Sequence, residues 1–267
     1  MKNIKYPSLN EVRASHAPKI GYERYLLASR FIFRPPSFPA IWLLVRLGVS
    51  SEAASWLSGF FALCGFVCFF WPGAPLLWAG IGFFMLFNFF DCLDGGIARV
   101  MNTRNSYGRF LDSIMWWADM VFWVAVGVTV WRMPELRLFA DSRALAPGIW
   151  LAAGAACALL ADYAAYLDSV FDLALRSPWE KLVVKAAPTA TPLEGKAGPE
   201  FFARVTVHNL RVRETHYLLL AAAAVTGSVD LLLGGMTVFY AIVVLLLLAV
   251  YCGRGKKVRA AELGEKS

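Results

Sequence analysis

The amino-acid sequence predicts an all-α integral membrane protein, in which six transmembrane helices follow an N-terminal amphipathic helix at the membrane interface. Of its 267 residues, 58% are hydrophobic and only 17% are charged. Charged residues make up about a quarter of an ordinary soluble domain. Mean hydropathy is +0.55. Apolar stretches of about 17 to 22 residues recur, and this is the length that crosses about 30 Å of hydrocarbon.

The six apolar stretches define the predicted spans and divide the chain into three parts. Residues 1–50 form a cytoplasmic N-terminal segment, residues 51–253 a six-helix transmembrane domain, and residues 254–267 a basic cytoplasmic tail. The predicted spans are 51–71, 74–90, 111–131, 146–167, 217–233 and 236–251.

Orientation is predicted from the 26 Lys and Arg residues, of which 23 fall on one side of the predicted spans. The other side carries only Arg132, Arg137 and Arg143. Cytoplasmic loops are enriched in Lys and Arg, so both termini are expected in the cytoplasm and the protein in the inner (cytoplasmic) membrane. The net charge of +7 then favours membrane lipids with anionic headgroups. A chain with several membrane spans disfavours nucleic-acid binding, which is the other explanation of this charge.

The segment 21–48 mixes aromatic and aliphatic residues with arginines, which is typical of a helix lying in the membrane interface. The proline-rich stretch 34–39 is expected to break this helix. The stretch 176–209, with four prolines and scattered charges, is expected to form a long cytoplasmic loop that includes a short surface helix. An anchoring role and a role in substrate binding both remain open for the N-terminal helix.

Carboxylates occur at the cytoplasmic edges of the second and third predicted spans, where acids are costly and usually functional. Asp91 and Asp94 are three residues apart and share one helix face. Asp112 and Asp119 are seven residues apart, about two helical turns. A short loop joins the two spans, so the acidic faces are expected to meet. Hard oxygen ligands gathered there favour Mg²⁺ or Mn²⁺, and hence a phosphate-bearing substrate.

Small residues follow the first acidic pair. Gly95, Gly96 and Ala98 would let a ligand approach the backbone closely, and the guanidinium of Arg99 would bind phosphate in a bidentate manner. Helix packing in lipid is an equally good explanation of the small residues taken alone. Asp162 lies in the middle of the fourth predicted span, where lining a cavity or pairing helices is favoured over catalysis.

These residues resemble the signature of the CDP-alcohol phosphotransferases, D-x-x-D-G-x-x-A-R-(x)8-G-x-x-x-D-x-x-x-D. Seven positions match at the right spacing, and six spans are the usual number in that family. Arg34-Pro35 and the run 46–50 are also similar to the family's approach to its first span. The matching positions are Asp91, Asp94, Gly95, Ala98, Arg99, Gly108 and Asp112.

The resemblance implies a membrane enzyme of phospholipid biosynthesis that uses Mg²⁺ or Mn²⁺. It would transfer a phosphatidyl or phosphoalcohol group from a CDP-linked lipid or alcohol, typically CDP-diacylglycerol, to a hydroxyl acceptor, releasing CMP. The resemblance also implies a homodimer. By analogy, the metal ligands are Asp91, Asp94 and Asp112, and the nucleotide is held by Gly95, Ala98, Arg99 and Gly108.

One position of the signature departs from the family, because Trp116 stands where the fourth aspartate is expected. In the family this aspartate completes the metal site and is the proposed general base. Asp119 is the nearest acid, one turn deeper, and with Asp112 it is the candidate catalytic pair. Three interpretations stay open: Asp119 takes over as base, another base is used, or the protein binds a nucleotide-linked lipid without efficient turnover.

The acceptor site is expected at the start of the fifth predicted span, where Arg211 and Arg213 would hold an anionic group such as a phosphorylated polyol. A role as membrane-surface anchors is at least as well supported for these two arginines. An Asp-rich membrane prenyltransferase is a weaker alternative, because the loop 176–209 has only three widely spaced glutamates.

Overall fold

The computed structural model describes residues 6–138, 148–184 and 198–263, and within these ranges the chain is helical and contains no strand. The all-α prediction is therefore confirmed for this part of the chain. The start of the fourth predicted span at residues 146–147, the middle of the loop 176–209 and the two ends of the chain lie outside the described residues.

Residues 6–50, the described part of the N-terminal segment, form three helices and one π-helical turn. Ser8 caps the first helix in a reciprocal pair with Glu11, in which each side chain accepts from the other residue's backbone N–H. The elements are α1 (Leu9–Ala14), α2 (Ala17–Glu23), the π-helical turn Ser29–Phe33 and α3 (Arg34–Arg46).

The proline-rich stretch begins a helix, so the predicted break at residues 34–39 is wrong. Pro35 and Pro36 occupy the first turn of α3, where the backbone N–H that proline lacks has no helical partner anyway. Pro39 lies inside the same helix. The interfacial placement of this segment stays a prediction.

Five helical stretches of the described ranges are long and apolar enough to cross a membrane, which fits a multi-pass membrane protein. One of them, Ser106–Arg132, contains a tightened turn and is described as two helices. The helices are α4 (Ser51–Phe69), α5 (Ala74–Val100), α6 (Ser106–Ile114), α7 (Trp117–Arg132), α8 (Ile149–Ala174), α9 (Arg176–Val184), α10 (Pro199–Leu210), α11 (Arg213–Thr226) and α12 (Val229–Glu262).

The last two predicted spans have the wrong boundaries. The stretch 217–233 is interrupted after Thr226, because Gly227 adopts a left-handed conformation with φ +65° and ends α11. With 14 residues, α11 extends about 21 Å, which is shorter than the hydrocarbon core. The next helix, α12, has 34 residues and includes most of the predicted cytoplasmic tail, residues 254–267. The number of six spans stays a prediction.

Aromatic side chains join three of these helices at the centre of the bundle. Phe84 of α5 and Phe122 of α7 meet edge-to-face, with ring centroids 5.2 Å apart. Phe122 meets Tyr217 of α11 in the same manner at 5.0 Å. All three side chains are buried, and edge-to-face pairs add to the free energy gained by burial. They hold α11 against α5 and α7 although α11 is short.

Two glycines bring α7 and α8 into close contact. A Cβ atom at Gly154 would lie 2.7 Å from the carbonyl oxygen of Trp123 and 2.9 Å from Cα of Gly127. A Cβ at Gly127 would lie 2.7 Å from the carbonyl oxygen of Trp150. The obstacles are backbone atoms, which cannot rotate away, so both positions require glycine. Small residues at such crossings are typical of membrane helix pairs.

Substituting Gly154 by Ala is expected to separate α7 from α8 and to lower the free energy of unfolding by about 1 to 3 kcal/mol. Thermal unfolding in detergent measures this effect. Gly148→Ala is the matched control, because a Cβ at Gly148 meets nothing within 4 Å. Equal unfolding temperatures for the two variants would contradict the close packing of this helix pair.

Candidate active site

A single large cavity, about 1210 Å³ in volume, contains every site residue that the sequence predicts. It is bounded by α5, α6, α7, α8 and the start of α11, with part of the N-terminal segment at its rim. The predicted residues that line it are Asp91, Asp94, Gly95, Ala98, Arg99, Gly108, Asp112, Asp119, Arg211 and Arg213.

Asp91 and Asp94 lie inside α5, because this helix continues ten residues beyond the predicted end of the second span. Asp94 is only 9% exposed. Ser55 Oγ of α4 donates to its Oδ2 at 2.5 Å, and the backbone N–H of Gly95 donates to its Oδ1. Both oxygens of this buried carboxylate are therefore engaged within the protein.

Arg213, the first residue of α11, lies between two acids of the cavity. Its guanidinium forms an ion pair with Asp91 Oδ2, and its Nη1 lies 3.3 Å from Asp119 Oδ2. Its Nε donates to Asn88 Oδ1 at 3.0 Å, and Cζ lies 4.9 Å from the ring centroid of Phe87. One cation thus joins α5, α7 and α11.

The third predicted span is not one regular helix, and this changes the relation between its two acids. The backbone N–H of Trp116 donates to the carbonyl of Ser113, and that of Asp119 to the carbonyl of Trp116. These bonds span three residues and tighten the chain, so α6 ends at Ile114 and α7 begins at Trp117. Asp112 therefore lies in α6 and Asp119 in α7, on either side of this turn. Asp112 is exposed, and Asp119 is partly buried.

Trp116 stands at this turn and lines the cavity with its side chain 45% exposed. Its indole Nε1 donates to Asp162 Oδ1 of α8 at 2.9 Å. Asp162 lines the same cavity, and this hydrogen bond joins α8 to the turn before α7.

Arg99 folds back over Gly95 one turn earlier on α5. A Cβ at Gly95 would lie 3.2 Å from Nη1 of Arg99, so the glycine gives the guanidinium its room. The Nε of Arg99 is buried and has no hydrogen-bond partner in the described ranges. Gly108 lies at the start of α6, where its N–H donates at 2.7 Å to Oδ1 of the capping residue Asn105.

Arg211, the other predicted acceptor residue, is held away from Arg213. Its Nη2 lies 2.5 Å from Asp168 Oδ2 of α8. The other oxygen of Asp168 accepts from the hydroxyl of Tyr251 on α12. Arg211 therefore links the cavity rim to α8 and α12.

The N-terminal segment reaches the cavity through a buried ion pair. Glu23 accepts from Arg34 Nη2 at 2.5 Å and from Arg34 Nε at 2.9 Å, and its Oε2 lies 2.9 Å from His16 Nε2. Arg34 also donates to the backbone carbonyl of Cys92 on α5 at 3.4 Å. Burial lowers the pKa of His16 against the opposing effect of Glu23, which keeps the imidazole neutral near pH 7.

The donor set of the cavity suits Mg²⁺ or Mn²⁺, since carboxylate oxygens are the ligands these ions prefer. Asp119 Oδ1 is buried and unpaired among the described residues, which leaves an anionic oxygen that a cation would satisfy. Over those same ranges, no three His, Cys, Asp or Glu side chains are already gathered closely enough to hold a metal ion. Asp91 and Asp119 are directed at Arg213 instead.

Sequence reasoning missed the residues that hold the acids in place. Ser55 on α4 and Asn88 on α5 contact Asp94 and Arg213, respectively. Asn88 stands three residues before Asp91, and this polar residue within an apolar stretch was a usable signal. Ser55 carries no comparable signal, because a serine in a membrane helix also serves close packing.

The model of the CDP-alcohol phosphatidyltransferase family matches residues 51–166 of this chain. The matched region is somewhat less than half of the sequence. It spans α4 to α7 and most of α8, and therefore includes the acids of the signature, Trp116 and Asp162. Arg211 and Arg213 lie outside it. No curated protein matches the chain.

Proposed function

Because residues 51–166 carry the CDP-alcohol phosphatidyltransferase domain, we propose that this protein transfers a phosphatidyl or other phosphoalcohol group from a CDP-alcohol to a hydroxyl acceptor and releases CMP. The proposed donor is CDP-diacylglycerol, and the proposed cofactor is Mg²⁺ or Mn²⁺. The observation that carries this proposal is the convergence of the signature acids and of Arg99 on one cavity of about 1210 Å³.

Asp91, Asp94 and Asp112 are the proposed metal ligands. The bound ion would supply charge neutralisation for the diphosphate and for the departing CMP. Ser55 fixes the rotamer of Asp94 by its hydrogen bond. Asp112, which is exposed at the cavity, is free to turn toward a bound substrate.

The nucleotide is proposed to lie along the start of the signature on α5. The Nε of Arg99 is a buried donor with no partner among the described residues, and a donor in this state favours an anionic ligand. Gly95 gives the guanidinium of Arg99 its room, and Ala98 and Gly108 line the cavity beside it. The pyrophosphate is therefore expected beside Arg99.

The acceptor is proposed to enter near Arg211 and Arg213, which suit an anionic headgroup such as a phosphorylated polyol. Arg213 is held by Asp91 and Asp119. Asp119, one of the alternatives that the sequence leaves open for the base, shares this ion pair. Binding of a metal ion to the acids would compete with Arg213 for Asp91.

The three-part division into residues 1–50, 51–253 and 254–267 belongs to the same proposal. Both termini are placed in the cytoplasm and the domain in the inner membrane, where the donor lipid and the membrane lipids lie. The active assembly is proposed to be a homodimer, as the family resemblance implies.

The proposal is tested by CMP release from the purified protein in detergent, with CDP-diacylglycerol and either Mg²⁺ or Mn²⁺. Serine, glycerol phosphate, inositol phosphate and inositol are supplied separately as acceptors. Release that depends on both the metal ion and one acceptor is expected, and it would identify that acceptor. Chelation by EDTA should abolish it. Release that is independent of every acceptor would contradict the proposed transfer.

A second candidate function is binding of a CDP-linked lipid without efficient turnover. It is favoured by Trp116, which replaces an acid of the signature, and by the engagement of Asp91 and Asp119 with Arg213. Tight metal-dependent CDP binding without CMP release from any acceptor would select this function.

A further inference from the structure

The wall of the cavity formed by α8 presents one acid among small side chains. The residues of α8 that line the cavity are Ala158, Ala161, Asp162 and Ala165. An alanine side chain ends at Cβ. The neighbours of Asp162 on this wall of α8 are alanines, so they leave its carboxylate accessible from the cavity. A substrate group that enters this part of the cavity meets Asp162.

Trp116 fixes the orientation of that carboxylate. The indole N–H is a donor only, and it binds Asp162 Oδ1 at 2.9 Å. Across the described ranges, Oδ2 of Asp162 accepts no hydrogen bond. The carboxylate thus has one oxygen bound to the protein and one available to a ligand.

Other acids of the cavity are engaged within the protein. Asp94 uses both oxygens on Ser55 and Gly95. Asp91 and Asp119 each turn one oxygen to the guanidinium of Arg213, and the other oxygen of Asp119 is buried. A guanidinium therefore occupies the oxygen that each of these two carboxylates turns toward it, whereas Asp162 receives one neutral hydrogen bond.

Three further acids line the cavity, and one of them, Glu23, is paired with Arg34. Asp112 is a signature position with a proposed metal role. Glu214 lies in the first turn of α11 and also lines the cavity. A negative side chain is stabilised at a helix N-terminus, which also weakens it as a base. Asp162 is the acid that best combines access with an available oxygen.

We propose that Asp162 is the general base of the transfer reaction and that Trp116 is the residue that positions it. This inference rests on the proposed function. Asp162 Oδ2 accepts the proton of the acceptor hydroxyl as the acceptor oxygen forms a bond to the phosphorus that carries the lipid or alcohol. The bond from this phosphorus to the bridging oxygen breaks, and CMP leaves with that oxygen. The carboxylate missing at position 116 is thereby supplied from α8.

The test is Asp162→Asn, which keeps the size of the side chain and an oxygen that accepts from Trp116. CMP release is expected to fall by about a hundredfold or more, the usual effect of removing a general base. The dissociation constant for CDP in Mg²⁺ is expected to change by less than about threefold. The matched control is Asp172→Asn, also on α8, where the acid pairs with Arg176 at the surface. It should retain wild-type release.

A rescue variant makes the test specific. Trp116→Asp combined with Asp162→Asn returns the acid to the signature position, and CMP release should rise at least about tenfold above Asp162→Asn alone. Trp116→Phe keeps an aromatic ring and removes the N–H donor. It should lower kcat in protein whose unfolding temperature and stoichiometry of CDP binding match the wild type, and these two readouts exclude loss of folded protein as the cause.

Each remaining outcome would overturn the inference. Wild-type release from Asp162→Asn excludes this base. Loss of release in Glu214→Gln together with retained release in Asp162→Asn would assign the role to Glu214 instead. Loss of CDP binding in Asp162→Asn without recovery in the double variant makes Asp162 a structural residue. Absence of CMP release from the unmodified protein with every acceptor refutes the proposed function itself, and this result is separate from the others.

Discussion

Asp94→Asn is expected to reduce CMP release by about a thousandfold or more, since a metal ligand contributes several kcal/mol to the transition state. Asp94 is the most enclosed acid of the signature, at 9% exposed. Asn has nearly the same shape and its single oxygen can still accept a hydrogen bond from Ser55, so the helix pair α4 and α5 should stay intact. The variant loses the negative charge and the acceptor for the backbone N–H of Gly95.

The measurement is acceptor-dependent CMP release, with metal binding followed by calorimetry on the same preparations. Ser55→Ala is an informative companion, because it leaves the carboxylate and removes the hydroxyl that donates to Oδ2 at 2.5 Å. Its rate is expected to fall by about tenfold, the equivalent of one hydrogen bond. Unchanged turnover in Asp94→Asn would rule out a metal-ligand role for this acid.

Arg213→Gln is expected to lower the stability of the metal-free protein by about 3 to 5 kcal/mol, the usual cost of removing one partner from a buried ion pair. The side chains of Arg213, Asp91 and Asp119 are 24%, 16% and 23% exposed. Without the guanidinium, two neighbouring carboxylates remain in a partly buried site without a counter-charge. For a chain of this size the unfolding temperature should fall by about 10 °C.

Added Mg²⁺ should recover part of this loss in Arg213→Gln, because a divalent cation replaces the missing positive charge between the acids. Thermal unfolding in detergent with Mg²⁺ and with EDTA gives both values. Arg213→Lys keeps one charge but loses the planar fork and the bond to Asn88, so an intermediate unfolding temperature is expected. A variant Arg213→Gln that unfolds at the wild-type temperature in EDTA would show that the ion pairs contribute nothing.

The sequence by itself determined the helical class, most membrane-spanning segments and the residues that gather at the cavity. Long apolar stretches must form helices in lipid, because every backbone polar group then finds a partner within its own segment. The signature spacing was equally informative, since Asp91 and Asp94 are close on any helix. These properties depend on residues near each other in the chain, and a sequence displays them directly.

Helix ends within apolar stretches were harder to place. Gly227 stands in the run TGSVD, and Gly and Ser favour a turn there, but the paired glycines at residues 234–235 offered a competing place to end the helix. Likewise, the prolines at positions 35 and 36 are compatible with the interruption of a helix and with its first turn. Local composition allowed both alternatives, and packing of the neighbouring helices selected one.

Only the tertiary structure decided the partners of the charged residues. Arg213 contacts Asp91 and Asp119, which precede it by 122 and 94 positions. Trp116 meets Asp162 across 46 positions. Such pairs arise from the crossing of whole helices, and the crossing is fixed by side-chain shape and by close contacts such as Gly127 with Gly154. Charge and hydropathy along the chain contain no record of that geometry, so the candidate base on α8 could be recognised only in the folded protein.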